Sequence, residues 1–185
     1  MIRINEQKIF DVISERKPRV VAFNGPEGIM RKILEVVDKV HNEFDVIAYV
    51  IGDPCFGSCD INSHAADMVG ADILFHIGHS ISLDNFGSKI VLVDALDDVN
   101  FDSVAEKCVT TLQSHRILSI VTDSQHLHQI QRVKEILERD GFTVVIGKGK
   151  GQLNDGQVFG CEFYPTSEVK SVIDTIVTKD NLFIL

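Results

Sequence analysis

No apolar run in this sequence is long enough to cross a lipid bilayer. The longest uncharged runs have the length of a strand, whereas a membrane-spanning helix needs about 20 apolar residues. The opening residues, Met1 to Asn5, do not resemble the basic and then apolar start of a secretory signal peptide. These two absences exclude an integral membrane protein and favour a soluble, cytoplasmic one.

Basic residues are also few. The chain has 18 lysines and arginines against 27 aspartates and glutamates, so its formal net charge is −9 at pH 7. Proteins that bind nucleic acid through its phosphates need a concentrated basic face, and we therefore expect no nucleic-acid partner. There are only four cysteines, and in a reducing cytosol they are more typical of free thiols or metal ligands than of a disulfide framework.

What the sequence does contain is an alternation of strand-like and helix-like segments over 185 residues. We expect two similar α/β domains, residues 1–97 and 98–185, each with a mainly parallel sheet flanked by helices and related by an internal repeat of about 110 residues. Predicted strands are 19–23, 44–51, 73–77, 89–94, 116–122, 142–146 and 181–185. Predicted helices are 6–15, 29–40, 60–68, 103–113, 125–139 and 166–175.

Three local features accompany these predictions. The strand at 44–51 is nearly all apolar, which is typical of a strand covered on both faces. Asp60 is placed to cap the short helix that follows it, and Gly70 to end that helix. The acidic stretch 94–102 reads as a connector between the domains.

Each predicted domain has a cysteine-containing loop after its second strand. The first loop, residues 52–60, holds Cys55 and Cys59, and the second, residues 147–161, ends on Cys161. Ligands bind at the carboxyl ends of parallel strands, so function is expected where these loops meet. Cys55 and Cys59 are either one buried and one exposed thiol or soft metal ligands. Cys108 shares the spacing of a helical apolar stripe, which indicates core packing.

Other candidate residues lie at the same predicted sheet edges. His79, beyond the end of the third strand, is a functional candidate, whereas His76 within that strand favours a structural role with satisfied ring nitrogens. The turn Asn24 to Gly28 is placed like a phosphate-binding loop. Because it has neither the Walker nor the dinucleotide pattern, it does not by itself indicate a nucleotide.

Taken together, these motifs resemble the diphthamide-synthesis (Dph1/Dph2) family. The matching segments, in the family's order, are Pro26–Gly28, Gly52–Pro54 with Phe56–Asp60, Gly70–Asp72 with His76–Ser80, and Gly156–Cys161. The resemblance implies transfer of the 3-amino-3-carboxypropyl group of S-adenosylmethionine to a histidine of translation elongation factor 2. It further implies radical chemistry at a four-iron, four-sulfur cluster.

The resemblance also assigns site residues and partners. Cys59 and Cys161 correspond to the first two cluster ligands, with Cys55 a secondary candidate, and no catalytic residue is assigned. His79, Gly28, Gly156 and Gln157 are the candidate cofactor-binding residues. The expected partners are elongation factor 2, as protein substrate, and a further copy or a different chain in a homo- or hetero-oligomer.

Members of that family carry a third similar domain, which contains a third cysteine. In this chain that domain would begin at about Leu185. We therefore expect this chain to be incomplete for catalysis, so its status as an enzyme is left open. Two alternatives remain. One is a non-catalytic truncated paralogue or partner subunit of the same fold. The other is a zinc-binding α/β protein that uses Cys55, Cys59, Cys161 and His79.

Overall fold

The computed structural model describes residues 1–80, 87–159 and 163–168. Helices and strands alternate along most of these residues, and every described strand pairing except one is parallel. The α/β fold class with mainly parallel sheets and flanking helices is thus confirmed. The chain divides into two compact units, Met1–Asp97 and Asp98–Leu185. The internal repeat stays a prediction.

The first unit is built on a four-stranded parallel sheet. The strands of the whole unit are β1 (Ile2–Ile4), β2 (Val20–Asn24), β3 (Ile47–Val50), β4 (Ile73–Ile77), β5 (Ile90–Val93) and β6 (Ala95–Asp97). The helices of the unit are α1 (Glu6–Arg16), α2 (Met30–Glu43) and α3 (Ser63–Met68). The order in the main sheet is β3-β2-β4-β5. The two inner strands, β2 and β4, are almost wholly buried, as expected for a parallel sheet covered on both faces.

Alternation along the inner strands separates the two faces of this sheet. Phe23 and Phe75 lie on the face covered by α1 and α2, and their rings stack with centroids 5.2 Å apart. Ala22 and Leu74 lie on the opposite face, in a smaller cluster with Ala66 of α3. Because side chains alternate with a period of two, the last residue of β2 and the fourth of β4 also point to the α3 face.

A glycine allows the chain to leave β2 close to β4. A Cβ on Gly25 would lie 2.7 Å from Ile33 Cδ1 and 3.0 Å from the carbonyl oxygen of Ile77. Only a residue without a side chain fits there, since such contacts lie inside ordinary van der Waals distances. The turn therefore stays at the carboxyl edge of the sheet, where a short 3-10 helix, Glu27–Ile29, leads into α2.

The prediction that the strand at 44–51 is covered on both faces was wrong. The strand is shorter, β3 (Ile47–Val50), and it lies at the edge of the sheet. Ile47 is 54% exposed and Tyr49 42% exposed, because alternate residues of this edge strand point away from the packed face. An apolar composition does not distinguish an edge strand from a central one.

The acidic connector predicted at 94–102 was also partly wrong, because β6 lies within it. β6 pairs antiparallel with β1, with Ile4 opposite Ala95 and Ile2 opposite Asp97. Three-residue strands carry too little alternation to be recognised from sequence. Their pairing joins segments more than 90 residues apart, which a local pattern does not report.

The predicted cap of α3 needs correction as well. Asn62, not Asp60, caps this helix, since Asn62 Oδ1 accepts a hydrogen bond from the Ala65 backbone N–H at 3.1 Å. The Asp60 carboxylate instead accepts from the Phe56 N–H at 2.8 Å, inside the preceding loop. Gly70 has φ +67° just beyond the helix, which confirms its predicted role as the terminating residue.

The second unit contains a two-stranded parallel sheet in the part that the structure describes. Its elements are α4 (Asp102–Thr111), β7 (Ile117–Ser119), α5 (Ile130–Arg139), β8 (Thr143–Val145) and α6 (Tyr164–Glu168), with a short 3-10 helix, Leu127–Gln129, before α5. Cys108 is half-buried and packs against the core of this unit, as predicted. The predicted strand 181–185 and most of the predicted helix 166–175 lie outside the described residues.

No helix among the described residues combines the length and the apolar composition that crossing a membrane would require.

Candidate functional site

The first cysteine loop, residues 52–60, begins at the carboxyl edge of the parallel sheet. The N–H of Ile51 still donates to the carbonyl oxygen of Phe23 at 2.8 Å, so pairing with β2 continues to the start of the loop. Two side-chain contacts then hold the loop. Asp60 accepts from the N–H of Phe56, and the Asn62 amide donates to Asp53 at 2.8 Å. The loop therefore follows a defined path from β3 to α3.

The two thiols of this loop differ in exposure. Cys55 is buried and Cys59 is exposed, and both are free. Burial raises the pKa of the Cys55 thiol, and the nearby Asp60 carboxylate raises it further. A buried thiol of raised pKa is a poor nucleophile at neutral pH, whereas Cys59 is accessible to a ligand from outside.

His76, near the end of β4, is fully buried and lies beside the last residue of β2. Asn24 is its partner in the parallel register, and His76 Nδ1 is 2.9 Å from Asn24 Oδ1. Because an amide oxygen only accepts, the Nδ1–H of His76 donates this bond and its Nε2 carries the lone pair. Burial lowers the pKa of His76 to about 4, so the ring is neutral at physiological pH.

His79 follows β4 after a sharp turn at Gly78, whose φ is +87°. His79 Nδ1 lies 3.2 Å from His76 Nε2 and 3.7 Å from Cys55 Sγ. The two imidazole rings stack with centroids 5.2 Å apart. Burial lowers the pKa of His79, while the Asp60 carboxylate acts in the opposite direction.

These contacts bring three donor atoms together in what we call the Cys55–His76–His79 cluster. Its Sγ, Nε2 and Nδ1 atoms all lie within 4.8 Å of one another. Sequence reasoning selected Cys55 and His79 but gave His76 a structural role. The hydrogen bond to Asn24 agrees with that role, but the other ring nitrogen faces the donor group. The sequence signal that could have indicated a site at His76 is Asn24, a polar residue at the end of the neighbouring buried strand.

The remaining candidates of the first unit lie near the same edge. Cys59 is not part of the three-atom group, although it belongs to the same loop as Cys55. Gly28 is exposed in the 3-10 helix before α2, and a Cβ there would meet no atom within 4 Å. Space for a ligand beside Gly28 is therefore available, and its role in cofactor binding stays a prediction.

In the second unit, the contacts of Gly156 and Gln157 hold the glycine-rich loop in place. Gly156 has φ +73°, and a Cβ there would collide with Ile130 and Ile146. Gln157 is buried, and its Oε1 accepts from both the backbone and the side-chain nitrogen of Asn154, at 3.0 and 2.9 Å. These contacts give both residues structural roles, and their cofactor-binding roles stay predictions.

Two further residues belong to this loop, Lys148 and Cys161. Lys148 forms an ion pair with Asp155 at 2.7 Å, so a carboxylate of the same loop already pairs with this lysine. Cys161 lies outside the described residues. The expected approach of Cys59 and Cys161, and the four-residue zinc set that includes both, therefore stay predictions.

Comparison with known proteins gives a consistent result. Residues 25–183 match the family model described as "Putative diphthamide synthesis protein". The 2-(3-amino-3-carboxypropyl)histidine synthase of Pyrococcus horikoshii is 31% identical over 145 residues, covering 77% of this chain and 42% of the relative. Subunit 1 of the synthase from Schizosaccharomyces pombe is 29% identical over 91% of this chain and 40% of its own length.

Solved structures agree with these relatives. The crystal structure of Dph2 from Pyrococcus horikoshii with a 4Fe-4S cluster matches with a TM-score of 0.81 and 27% identity, covering 90% of this chain and 50% of that one. A second crystal structure of the same protein gives a TM-score of 0.80. The chain spans about 40% of the length of the curated relatives it matches.

Proposed function

The chain belongs to the diphthamide synthesis family, and we propose that it is a component of a 2-(3-amino-3-carboxypropyl)histidine synthase. The proposed reaction transfers the 3-amino-3-carboxypropyl group of S-adenosylmethionine to a histidine of translation elongation factor 2. A cytoplasmic location would follow from that substrate. The observation that carries the proposal is the free, exposed Cys59 on a loop at the carboxyl edge of the sheet, in a chain similar to a protein solved with a 4Fe-4S cluster.

Cys59 and Cys161 are the residues proposed to hold such a cluster here. Cys59 meets the first requirement of a ligand, an accessible free thiol, and thiolates are the usual ligands of iron-sulfur clusters. The iron-sulfur cluster, when bound, would supply the electron that cleaves S-adenosylmethionine. Gly28, His79, Gly156 and Gln157 are proposed to lie along the path of that cofactor.

A shared site with a second chain is part of this proposal. A four-iron cluster takes three or four thiolates, and Cys108 packs against the core of its own unit. A thiolate from outside these 185 residues would complete the set. Relatives from Schizosaccharomyces pombe and Homo sapiens are named as subunit 1 of the synthase, which favours a hetero-oligomer. A non-catalytic subunit of the same fold is the alternative.

The proposal is tested by anaerobic reconstitution of the chain with iron and sulfide, together with a second family chain that supplies a thiolate, followed by iron analysis, electronic absorption spectroscopy and an assay of S-adenosylmethionine cleavage. We expect Cys59→Ser to lower iron incorporation at least fivefold, because it removes a ligand. Cys108→Ser is the matched control, since that thiol packs in a core. Equal iron contents in Cys59→Ser and the unaltered chain would contradict the proposed ligand.

A further inference from the structure

The Cys55–His76–His79 cluster has the donor geometry of a mononuclear metal site. We propose that Sγ of Cys55, Nε2 of His76 and Nδ1 of His79 bind one Zn²⁺ ion, with water in the fourth position. The site lies on the α3 face of the sheet and needs neither iron nor S-adenosylmethionine. It does not use Cys59 or Cys161, but it shares His79 with the proposed path of S-adenosylmethionine.

The distances between the donor atoms fit tetrahedral zinc. With Zn–N bonds of about 2.0–2.1 Å and Zn–S bonds of about 2.3 Å, tetrahedral angles place two nitrogens about 3.3 Å apart and a nitrogen and a sulfur about 3.6 Å apart. The observed separations are 3.2 Å between His76 Nε2 and His79 Nδ1, and 3.7 Å between His79 Nδ1 and Cys55 Sγ. All three atoms lie within 4.8 Å of one another, so the third pair, Cys55 Sγ and His76 Nε2, is also close enough to share one ion.

A neighbouring residue already orients the most buried ligand. Metal-binding histidines usually donate their second ring N–H to an oxygen, which fixes the ring and the tautomer. Here Asn24 Oδ1 occupies that position, 2.9 Å from His76 Nδ1, and both side chains are fully buried. The lone pair of Nε2 is thereby directed towards the other two donors.

The same geometry argues against a catalytic Cys–His relay. In a relay the two ring nitrogens of the central histidine face different partners. In this cluster Cys55 Sγ and His76 Nε2 both approach the same nitrogen of His79, Nδ1. Three potential metal-donor atoms that lie within 4.8 Å of one another suit a cation better than a proton-transfer chain.

Local charge and exposure also favour a cation. Asp60, in the same loop as Cys55, carries a negative charge that acts on all three donor residues, and it would attract a divalent ion. His79 is only half-buried, so a fourth position beside it is accessible to water. Zinc sites with three protein ligands keep that position open.

The bound ion would join the cysteine loop to the end of β4. Cys55 lies four residues before Cys59 in the loop, and His76 and His79 belong to the end of β4 and the turn that follows it. Binding to the folded state alone raises stability by mass action. We therefore expect zinc to raise the melting temperature and to restrict the loop that presents Cys59.

The test uses the full chain, freed of metal with a chelator and kept reduced under nitrogen, and titrated with Co²⁺ and then with Zn²⁺. We expect one Co²⁺ per chain, with intense d–d bands typical of tetrahedral cobalt and a thiolate-to-cobalt charge-transfer band that Zn²⁺ removes. Cys55→Ser should abolish the charge-transfer band and weaken Zn²⁺ binding at least tenfold. Cys59→Ser and Cys108→Ser are the matched thiol controls and should retain the band.

A second variant keeps the result interpretable if Cys55→Ser does not fold. His79→Gln alters a half-buried side chain and should weaken Zn²⁺ binding at least tenfold and remove the zinc-dependent rise in melting temperature. Loss of the band in Cys59→Ser but not in Cys55→Ser would overturn the proposal. So would the absence of stoichiometric Co²⁺ binding by unaltered chain shown to be folded by circular dichroism, because the cluster would then be a packing arrangement only.

Discussion

Asp72 shows at the scale of one residue how a polar side chain can set the start of a strand. Its carboxylate accepts hydrogen bonds from the backbone N–H groups of Arg19 and Val20, at 2.8 and 3.0 Å, and its own N–H donates to the carbonyl oxygen of Val20. These contacts fix β4 against β2 at their first residues. Hydrogen bonds to the charged form lower the pKa of Asp72.

The lowered pKa of Asp72 gives a pH-dependent stability. A carboxyl whose folded pKa lies below its unfolded value stabilises the protein above the unfolded pKa, and the contribution is lost as pH falls through the folded pKa. We expect Asp72→Asn to lower the free energy of unfolding by at most about 1 kcal/mol at neutral pH, since the side chain is exposed. The difference should be constant above about pH 5 and should shrink as pH falls below about 4 towards the lowered folded pKa.

Urea denaturation at several pH values measures this prediction. Asp45→Asn is the matched control, because Asp45 is an exposed aspartate of the same unit. A difference between Asp72→Asn and the unaltered chain that stays constant from neutral to acidic pH would show that the charge of Asp72 does not stabilise the fold.

At the scale of elements, the short helix α3 depends on the residue that precedes it. Asn62 both caps α3 and donates to Asp53 in the cysteine loop. A six-residue helix has few internal hydrogen bonds, so its cap is a large share of its stability. The same side chain thus connects the helix on one face of the sheet to the loop at its carboxyl edge.

Two substitutions at Asn62 separate these contributions. We expect Asn62→Ala to lower the free energy of unfolding by about 1 kcal/mol or more, because both contacts are lost. Asn62→Ser keeps an oxygen that can accept from the Ala65 N–H but loses the donor to Asp53, and should be less destabilising than Asn62→Ala. Thermal and urea unfolding measure both variants, and equal losses would mean that the cap contributes nothing.

At the scale of the whole molecule, the proposed function depends on how many thiols remain to bind a cluster. Of the four cysteines, Cys55 is buried beside two histidines and Cys108 packs in the core of the second unit. Within these 185 residues, the proposed cluster would then have Cys59 and Cys161 as ligands, fewer than the three or four thiolates that a four-iron cluster takes. An under-ligated cluster is more exposed to solvent and more readily lost.

We therefore expect the 185-residue chain alone to retain less than one cluster per chain after desalting, and a second family chain that supplies a thiolate to raise that occupancy and allow S-adenosylmethionine cleavage. Iron and sulfide analysis before and after addition of the second chain measures the change. A variant of the second chain that lacks its cluster cysteines is the control. A stoichiometric, reducible cluster in the isolated chain would contradict this prediction.

The sequence alone determined the fold class, the main strands and helices and the family. These features depend on local patterns: the apolar run of β4, the helical stripe of α2, and motifs such as Gly52–Pro54 with Phe56–Asp60. Gly70 was identified as a helix end because a left-handed conformation favours glycine. Each of these signals is contained within a few neighbouring residues.

Only the tertiary structure decided which residues meet. The pairing of β1 with β6, the edge position of β3 and the meeting of Asn24, His76 and Cys55 join segments that are distant in sequence. His76 illustrates the reason. Its strand alternation gave the face on which it lies, but its neighbours are set by the order of strands in the sheet. That order is decided by packing of the whole unit, and no local pattern contains it.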